Sequence, residues 1–190
     1  MIRLNTVYFK PYQLLLVLVF LVNCGTTEKT TSSKVKEAQL NALMANKKFI
    51  IISDMALPLM TNSMNSLSNA GLFPPGSAAS QINLTGNSNF LKVIGDSVIA
   101  ELPYFGERQM GGGYNGRDTG IQFSGIPEEW ELIKNEKKQR YDLRFNIINS
   151  TESFKVSVTF FPNLTTAINI NSSQRFPIRY SGSVAPISEE

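Results

Sequence analysis

Apolar and polar residues alternate with a period of two over most of the second half of the chain. Val98, Ala100, Leu102 and Tyr104 share one parity, against Ile99 and Glu101. Tyr141, Leu143, Phe145 and Ile147 alternate with Asp142, Arg144 and Asn146, and Phe154, Val156, Val158 and Phe160 with Lys155, Ser157 and Thr159. Thr166, Ile168 and Ile170 continue the pattern, and Phe176, Ile178 and Tyr180 close it. A period of two places each set on one face of a strand. Residues 90–94 and 97–102 flank Gly95 and Asp96, a two-residue connection that predicts a hairpin. Residues 120–123 and 130–134 are shorter strand candidates. The connections at 149–152, 162–163 and 172–174 are short, which makes neighbouring strands antiparallel. Pro177 has no N–H to give a ladder, so the last strand is expected at an edge.

The first half reads differently. Val35, Ala38, Ala42 and Leu43 recur at helical spacing among good helix formers, predicting a helix over 35–47. Phe49, Ile50, Ile51 and Ile52 form a largely β-branched run, and 48–53 is expected to be a buried strand. Residues 55–80 mix Pro58, Pro74, Pro75, Gly71 and Gly76 with Met55, Met60, Met64, Leu67, Leu72 and Phe73. This is a long loop whose apolar residues are expected to cover an open sheet edge, which needs no ligand, or alternatively a cavity mouth. One helix is too small to shield so many strands. The pattern therefore predicts a mainly β fold: an antiparallel meander of about eight or nine strands, curled into a barrel-like sheet or sandwich, with one N-terminal helix.

Ahead of the helix, Arg3 and Lys10 precede an unbroken apolar run, Leu14, Leu15, Leu16, Val17, Leu18, Val19, Phe20, Leu21 and Val22. Nine residues fall short of the roughly 20 that span a bilayer. A charged segment followed by a short apolar one has the form of a secretory signal. Leu21, Val22, Asn23 and Cys24 resemble a bacterial lipobox, in which Cys24 is lipidated and becomes the first residue of the mature chain. Asn23 stands where that motif usually has Gly, Ala or Ser. The expected organisation is a lipoprotein signal peptide over 1–23, a flexible Thr- and Ser-rich tether over 24–34, one β-rich domain over 35–184 and a polar tail over 185–190. Gly25, Thr26, Thr27, Glu28 and Lys29 lack the acidic run of a surface-export signal, so the expected location is the outer membrane, facing the periplasm.

Charge adds little to this picture. The 190 residues carry 18 Lys and Arg against 15 Asp and Glu, a formal net of +3, but Arg3 and Lys10 lie in the leader. Lys134, Lys137, Lys138 and Arg140 are interleaved with Glu128, Glu129, Glu131 and Glu136, so no basic stripe suited to nucleic acid remains. The chain has no histidine and one cysteine. These absences exclude Ser-His-Asp and Cys-His catalysis, an intrachain disulfide framework, and four-cysteine metal centres. No cofactor or metal is expected.

The most distinctive segment is Leu102, Pro103, Tyr104, Phe105 and Gly106, followed by Gly111, Gly112, Gly113, Tyr114 and Gly116. No Gly-Lys-Ser/Thr follows, so it is not a phosphate loop. The plainer expectation is a strand end, core aromatics and a broad loop; the alternative makes Tyr104, Phe105 and Tyr114 the wall of a ligand pocket. Glu101, Glu107, Asp118, Glu128 and Glu129 are the candidate acid/base carboxylates, and their spacing singles out no pair. Asn83, Asn149, Asn163 and Asn171 begin Asn-x-Ser/Thr triplets, read as turn and strand-end polarity. Asp96, Ser97 and Val98 resemble a short O-glycosylation motif of the Bacteroidota, with Ser97 as acceptor.

The Leu-Pro-Tyr-Phe-Gly segment, the Asp96 turn, 120–123 and the closing stretch 175–182 together resemble a family of Bacteroidota lipoproteins catalogued as domain of unknown function 4251. The resemblance spans about 37–184. The Glu107, Arg108 and Gln109 run and a longer 60–76 loop depart from it. It implies an envelope lipoprotein and no particular reaction. The leading expectation is a non-catalytic module, membrane-bound through Cys24, that engages an envelope protein or glycan. The rivals are a barrel-like carrier of a small apolar ligand, marked by an open cavity, and a glycan-active enzyme, marked by a concave site with paired carboxylates.

Overall fold

The computed structural model describes residues 27–110 and 120–187. Helix α1 spans Thr27–Asn46 and helix α2 Asn62–Asn69. Ten strands follow in chain order: β1 Lys48–Pro58, β2 Ile82–Asn83, β3 Phe90–Ile94, β4 Ser97–Leu102, β5 Ile121–Gly125, β6 Glu128–Asn135, β7 Arg140–Asn149, β8 Glu152–Phe160, β9 Thr165–Ser172 and β10 Ile178–Pro186. All belong to one antiparallel sheet ordered β5-β4-β3-β1-β10-β9-β8-β7-β6, with β2 paired beside β3 on β1.

The expected alternation is obeyed. Val98, Ala100 and Leu102 on β4, Leu143, Phe145 and Ile147 on β7, and Phe154, Val156, Val158 and Phe160 on β8 are buried. Thr166, Ile168 and Ile170 on β9 and Ile178, Tyr180 and Val184 on β10 are buried with them. Burying a side chain of this size stabilises the fold by about 1.5–3 kcal/mol. The sheet curls into a half-barrel because β5 and β6 run in the same direction with only Ile126 and Pro127 between them. The β5 part of this segment pairs with β4 at one end of the strand order, and the β6 part pairs with β7 at the other. Phe123 on β5 thereby meets Phe145 on β7 and Phe154 on β8, at ring distances of 6.2 and 5.4 Å.

In several details the structure differs from the sequence pattern. The antiparallel strand succession is as expected, and β1 and β10, far apart in the chain, pair in the middle of the sheet order. For the same reason the last strand is interior: Pro177 precedes Ile178, the first residue of β10, so its missing N–H interrupts no ladder. The helix begins at Thr27, inside the segment read as tether, because extending a formed helix adds one hydrogen bond per residue fixed. Its buried face is Leu40, Leu43 and Met44, whereas Val35, Ala38 and Ala42 are exposed. The larger side chains remove more apolar area from water than alanines do, and they set the rotation. The loop over 55–80 holds structure: β1 continues to Pro58, and α2 is capped by Thr61, whose hydroxyl accepts from the Met64 N–H. β2 then occupies the edge of β1 beyond β3, pairing with Met55 and Ala56. β10 extends past the expected domain end at 184 to Pro186.

Leu40, Leu43 and Met44 share one core cluster with Phe49, Phe145, Phe160 and Tyr180. Phe49 meets Phe160 edge-on at 5.3 Å. Asn41 on α1 accepts a hydrogen bond from the Tyr141 hydroxyl at 2.8 Å, tying the helix to the start of β7.

Candidate functional site

Two places on the described surface gather polar chemistry. The first lies where β8 starts and β9 and β10 meet. Glu152 keeps the parity of Phe154 and Val156, so its carboxylate points inward, and it is buried. Arg175, in the turn before β10, is buried as well. Its Nε lies 2.8 Å from Glu152 Oε1 and its Nη2 3.1 Å from Oε2, a two-pronged pair. The Ser172 hydroxyl donates to Oε1 and accepts from the Gln174 and Arg175 N–H groups.

The Leu-Pro-Tyr-Phe-Gly segment packs on this pair. The Tyr104 ring lies 5.2 Å from the Arg175 guanidinium, and its hydroxyl is shared between the Glu107 carbonyl at 2.9 Å and the Phe176 carbonyl at 3.2 Å. Gly106 has φ 152°, and a Cβ there would sit 2.7 Å from the Tyr104 hydroxyl oxygen, so only glycine fits this turn. The Tyr180 hydroxyl donates to the Pro103 carbonyl at 2.8 Å. Burial raises the pKa of both hydroxyls, opposed in each by the Arg175 charge, and for Tyr180 the neighbouring Tyr104 adds to the rise. Glu107 is held below the usual carboxylate range by hydrogen bonds from Thr61 and Ser63 at the start of α2.

The second place is an open recess of about 550 Å³ against β6 to β9, lined by Glu129, Trp130, Glu131, Arg144, Phe145, Asn146, Lys155, Val156, Ser157 and Asn171. Its outward-facing side chains come from adjacent strands in register. One row runs Glu131, Arg144, Ser157; the next runs Asn146, Lys155, Asn171. Glu129 sits in the register shift between Glu128 and Glu131 with φ 51°, and accepts a hydrogen bond from the Asn146 amide.

Of the residues singled out from sequence, Tyr104 and Phe105 are half-buried and pack against the core, with Tyr104 committed to the Arg175 cluster. Cys24, Tyr114, Asp118 and the 111–116 glycines lie outside the described residues. Ser97 opens β4, half-buried beside the Gly95–Asp96 turn. Glu101, on β4, and Glu128, on β6, are exposed. Among the described residues no three Cys, Asp or Glu side chains gather as a metal site. The sequence carries a signal for the Glu152–Arg175 pair: Glu152 occupies an inward position in an otherwise apolar alternation. The sequence does not reveal the recess, because residue spacing alone does not show a bulge.

The fold defines a single-sheet, antiparallel half-barrel protein, closed by a bent strand, plugged by a helix and clasped by a buried ion pair. The chain belongs to the family described as Domain of unknown function (DUF4251), whose model matches residues 31–184. A crystal structure of a DUF4251 family protein from Bacteroides eggerthii DSM 20697 is similar, with a TM-score of 0.54 and 16% identity over 80% of this chain and 88% of that one. At that identity the likeness concerns the fold. No curated protein matches the chain.

Proposed function

We propose that this protein is a non-catalytic binding module of the bacterial envelope, held by a lipidated Cys24 to the periplasmic face of the outer membrane. The observation that carries the binding part is the filled concave face. Leu40, Leu43 and Met44 of α1 share the core with Phe49, Phe145, Phe160 and Tyr180, and occupy space that a carrier of an apolar ligand needs open. Function then falls to the outer surface, where the recess against β6 to β9 lies. The anchoring part rests on the leader sequence that ends at Cys24.

Fractionation of the native host tests the anchor: the wild-type chain sediments with membranes and Cys24→Ala is released. Unchanged sedimentation of the variant overturns it. Crosslinking in the intact envelope, with Cys24→Ala as control, tests the module: a specific protein or glycan is recovered with the anchored form. Recovery of none argues for a different role.

A further inference from the structure

We infer that the recess bounded by Glu129, Arg144, Asn146, Lys155 and Asn171 is a binding site for a neutral, hydroxyl-rich ligand of the oligosaccharide class. This deepens the proposed function and rests on it. Strand β6 carries a register shift, and Glu129, a residue with a side chain, takes a left-handed φ of 51°. Bulges re-aim side chains, and this one leaves the Glu129 carboxylate accepting from Asn146 rather than standing free in water. The carboxylate is thereby held at Asn146, the first member of the row Asn146, Lys155, Asn171.

The chemistry of the lining selects the ligand. Two carboxylates, Glu129 and Glu131, balance two cations, Arg144 and Lys155, and Glu131 lies 3.8 Å from Arg144. A recess without net charge offers a polyanion no advantage. It does offer paired donors and acceptors: two side-chain amides, two carboxylates, a guanidinium, an ammonium and the Ser157 hydroxyl. That set matches ligands in which each group is at once donor and acceptor, as sugar hydroxyls are. The Trp130 ring is stacked on Phe145 at 5.7 Å with Lys47 over it at 5.7 Å, so recognition rests on the polar rows rather than on stacking. The volume lies within the roughly 300–1,000 Å³ of small-ligand clefts.

The full chain carrying Cys24→Ala is titrated with chitotetraose, cellotetraose and mannotetraose, observed by amide NMR. At least one is expected to give saturable shifts confined to 129–131, 144–146, 155–157 and 171. Lys155→Ala and Asn171→Ala, both at exposed positions, are expected to weaken that binding at least tenfold without moving the thermal midpoint, while Ser183→Ala, exposed on β10, leaves it unchanged. No saturable shift with any of the three, or shifts that survive both recess variants, overturns the inference. A stronger response to tetragalacturonate that is lost in Lys155→Ala overturns the neutral class. An envelope crosslink lost in the recess variants, without tetrasaccharide binding, sinks the sugar assignment and leaves the binding module standing.

Discussion

The Arg175 guanidinium lies over the Tyr104 ring at 5.2 Å while both Glu152 oxygens hold it from the side. A cation this buried needs its charge balanced and its N–H groups directed, and Tyr104 supplies a π face and a hydroxyl that fixes the neighbouring Glu107 and Phe176 carbonyls. Tyr104→Phe keeps the ring and removes the hydroxyl. It is expected to cost about 1–3 kcal/mol in urea unfolding, the range for leaving partly buried carbonyls without their donor. Tyr104→Leu also loses the cation–π contact and is expected to cost more. A Tyr104→Phe chain as stable as the parent would mean that water replaces the hydroxyl.

The ion pair itself gives an asymmetric expectation. Glu152→Gln leaves a buried guanidinium without its counter-charge, and Arg175→Met leaves a buried carboxylate; each is expected to destabilise by about 3–5 kcal/mol. The double variant Glu152→Leu with Arg175→Met removes both charges and is expected to recover much of that loss. A double variant whose destabilisation equals the sum of the single ones would show that the two groups do not act as a pair.

Gly182 is a test of backbone approach. Beside it β1 carries a register shift between Ser53 and Met55, and a Cβ on residue 182 would fall 2.0 Å from the Ile52 carbonyl oxygen and 2.7 Å from the Ser53 Cα. Backbone cannot swing aside as a side chain can, so Gly182→Ala is expected to cost more than about 3 kcal/mol or to prevent folding. Gly125→Ala is the useful comparison: it has no neighbour within 4 Å of its Cβ position and carries only the strain of its φ of 152°. Denaturant midpoints of the two variants should differ widely, and equal midpoints would contradict the close approach.

The strands were legible because one face of each is buried, which forces the period-two pattern, and the Gly95–Asp96 hairpin appears where the turn residues put it. The order of strands was not legible. Pairing of β1 with β10 joins residues 49 and 186, and nothing local to either strand encodes the choice. Pro177 misled for the same reason, since a proline at a strand's entrance looks in sequence like a proline at an edge. The rotation of α1 differs from the one its alanine spacing suggests, because Leu40 and Met44 have more apolar area to bury. At the Tyr104 cluster the sequence showed a distinctive segment and an apolar-parity Glu152, but their meeting across the half-barrel depends on the curl that brings β4, β8 and β10 together. The recess depends on a bulge, and a bulge leaves the residue types of its strand unchanged.

Alkaline titration reports on the tyrosines. Tyr180 is almost fully buried, and its pKa is raised above the ordinary value of 10.0, chiefly because burial disfavours the phenolate; Tyr104 is shifted in the same direction for the same first reason. The folded state therefore keeps these protons at pH values where the unfolded chain has released them. Stability is fully present below pH 10 and falls as pH rises from there toward the folded pKa values, by up to about 1.4 kcal/mol per pH unit for Tyr180. Tyr180→Phe loses the hydrogen bond to the Pro103 carbonyl and is less stable at pH 8. It also loses this group's share of the alkaline slope, so the two stability curves should converge between pH 10 and 12. Parallel curves over that interval would show that Tyr180 does not carry the dependence and that its hydroxyl titrates as an exposed one does.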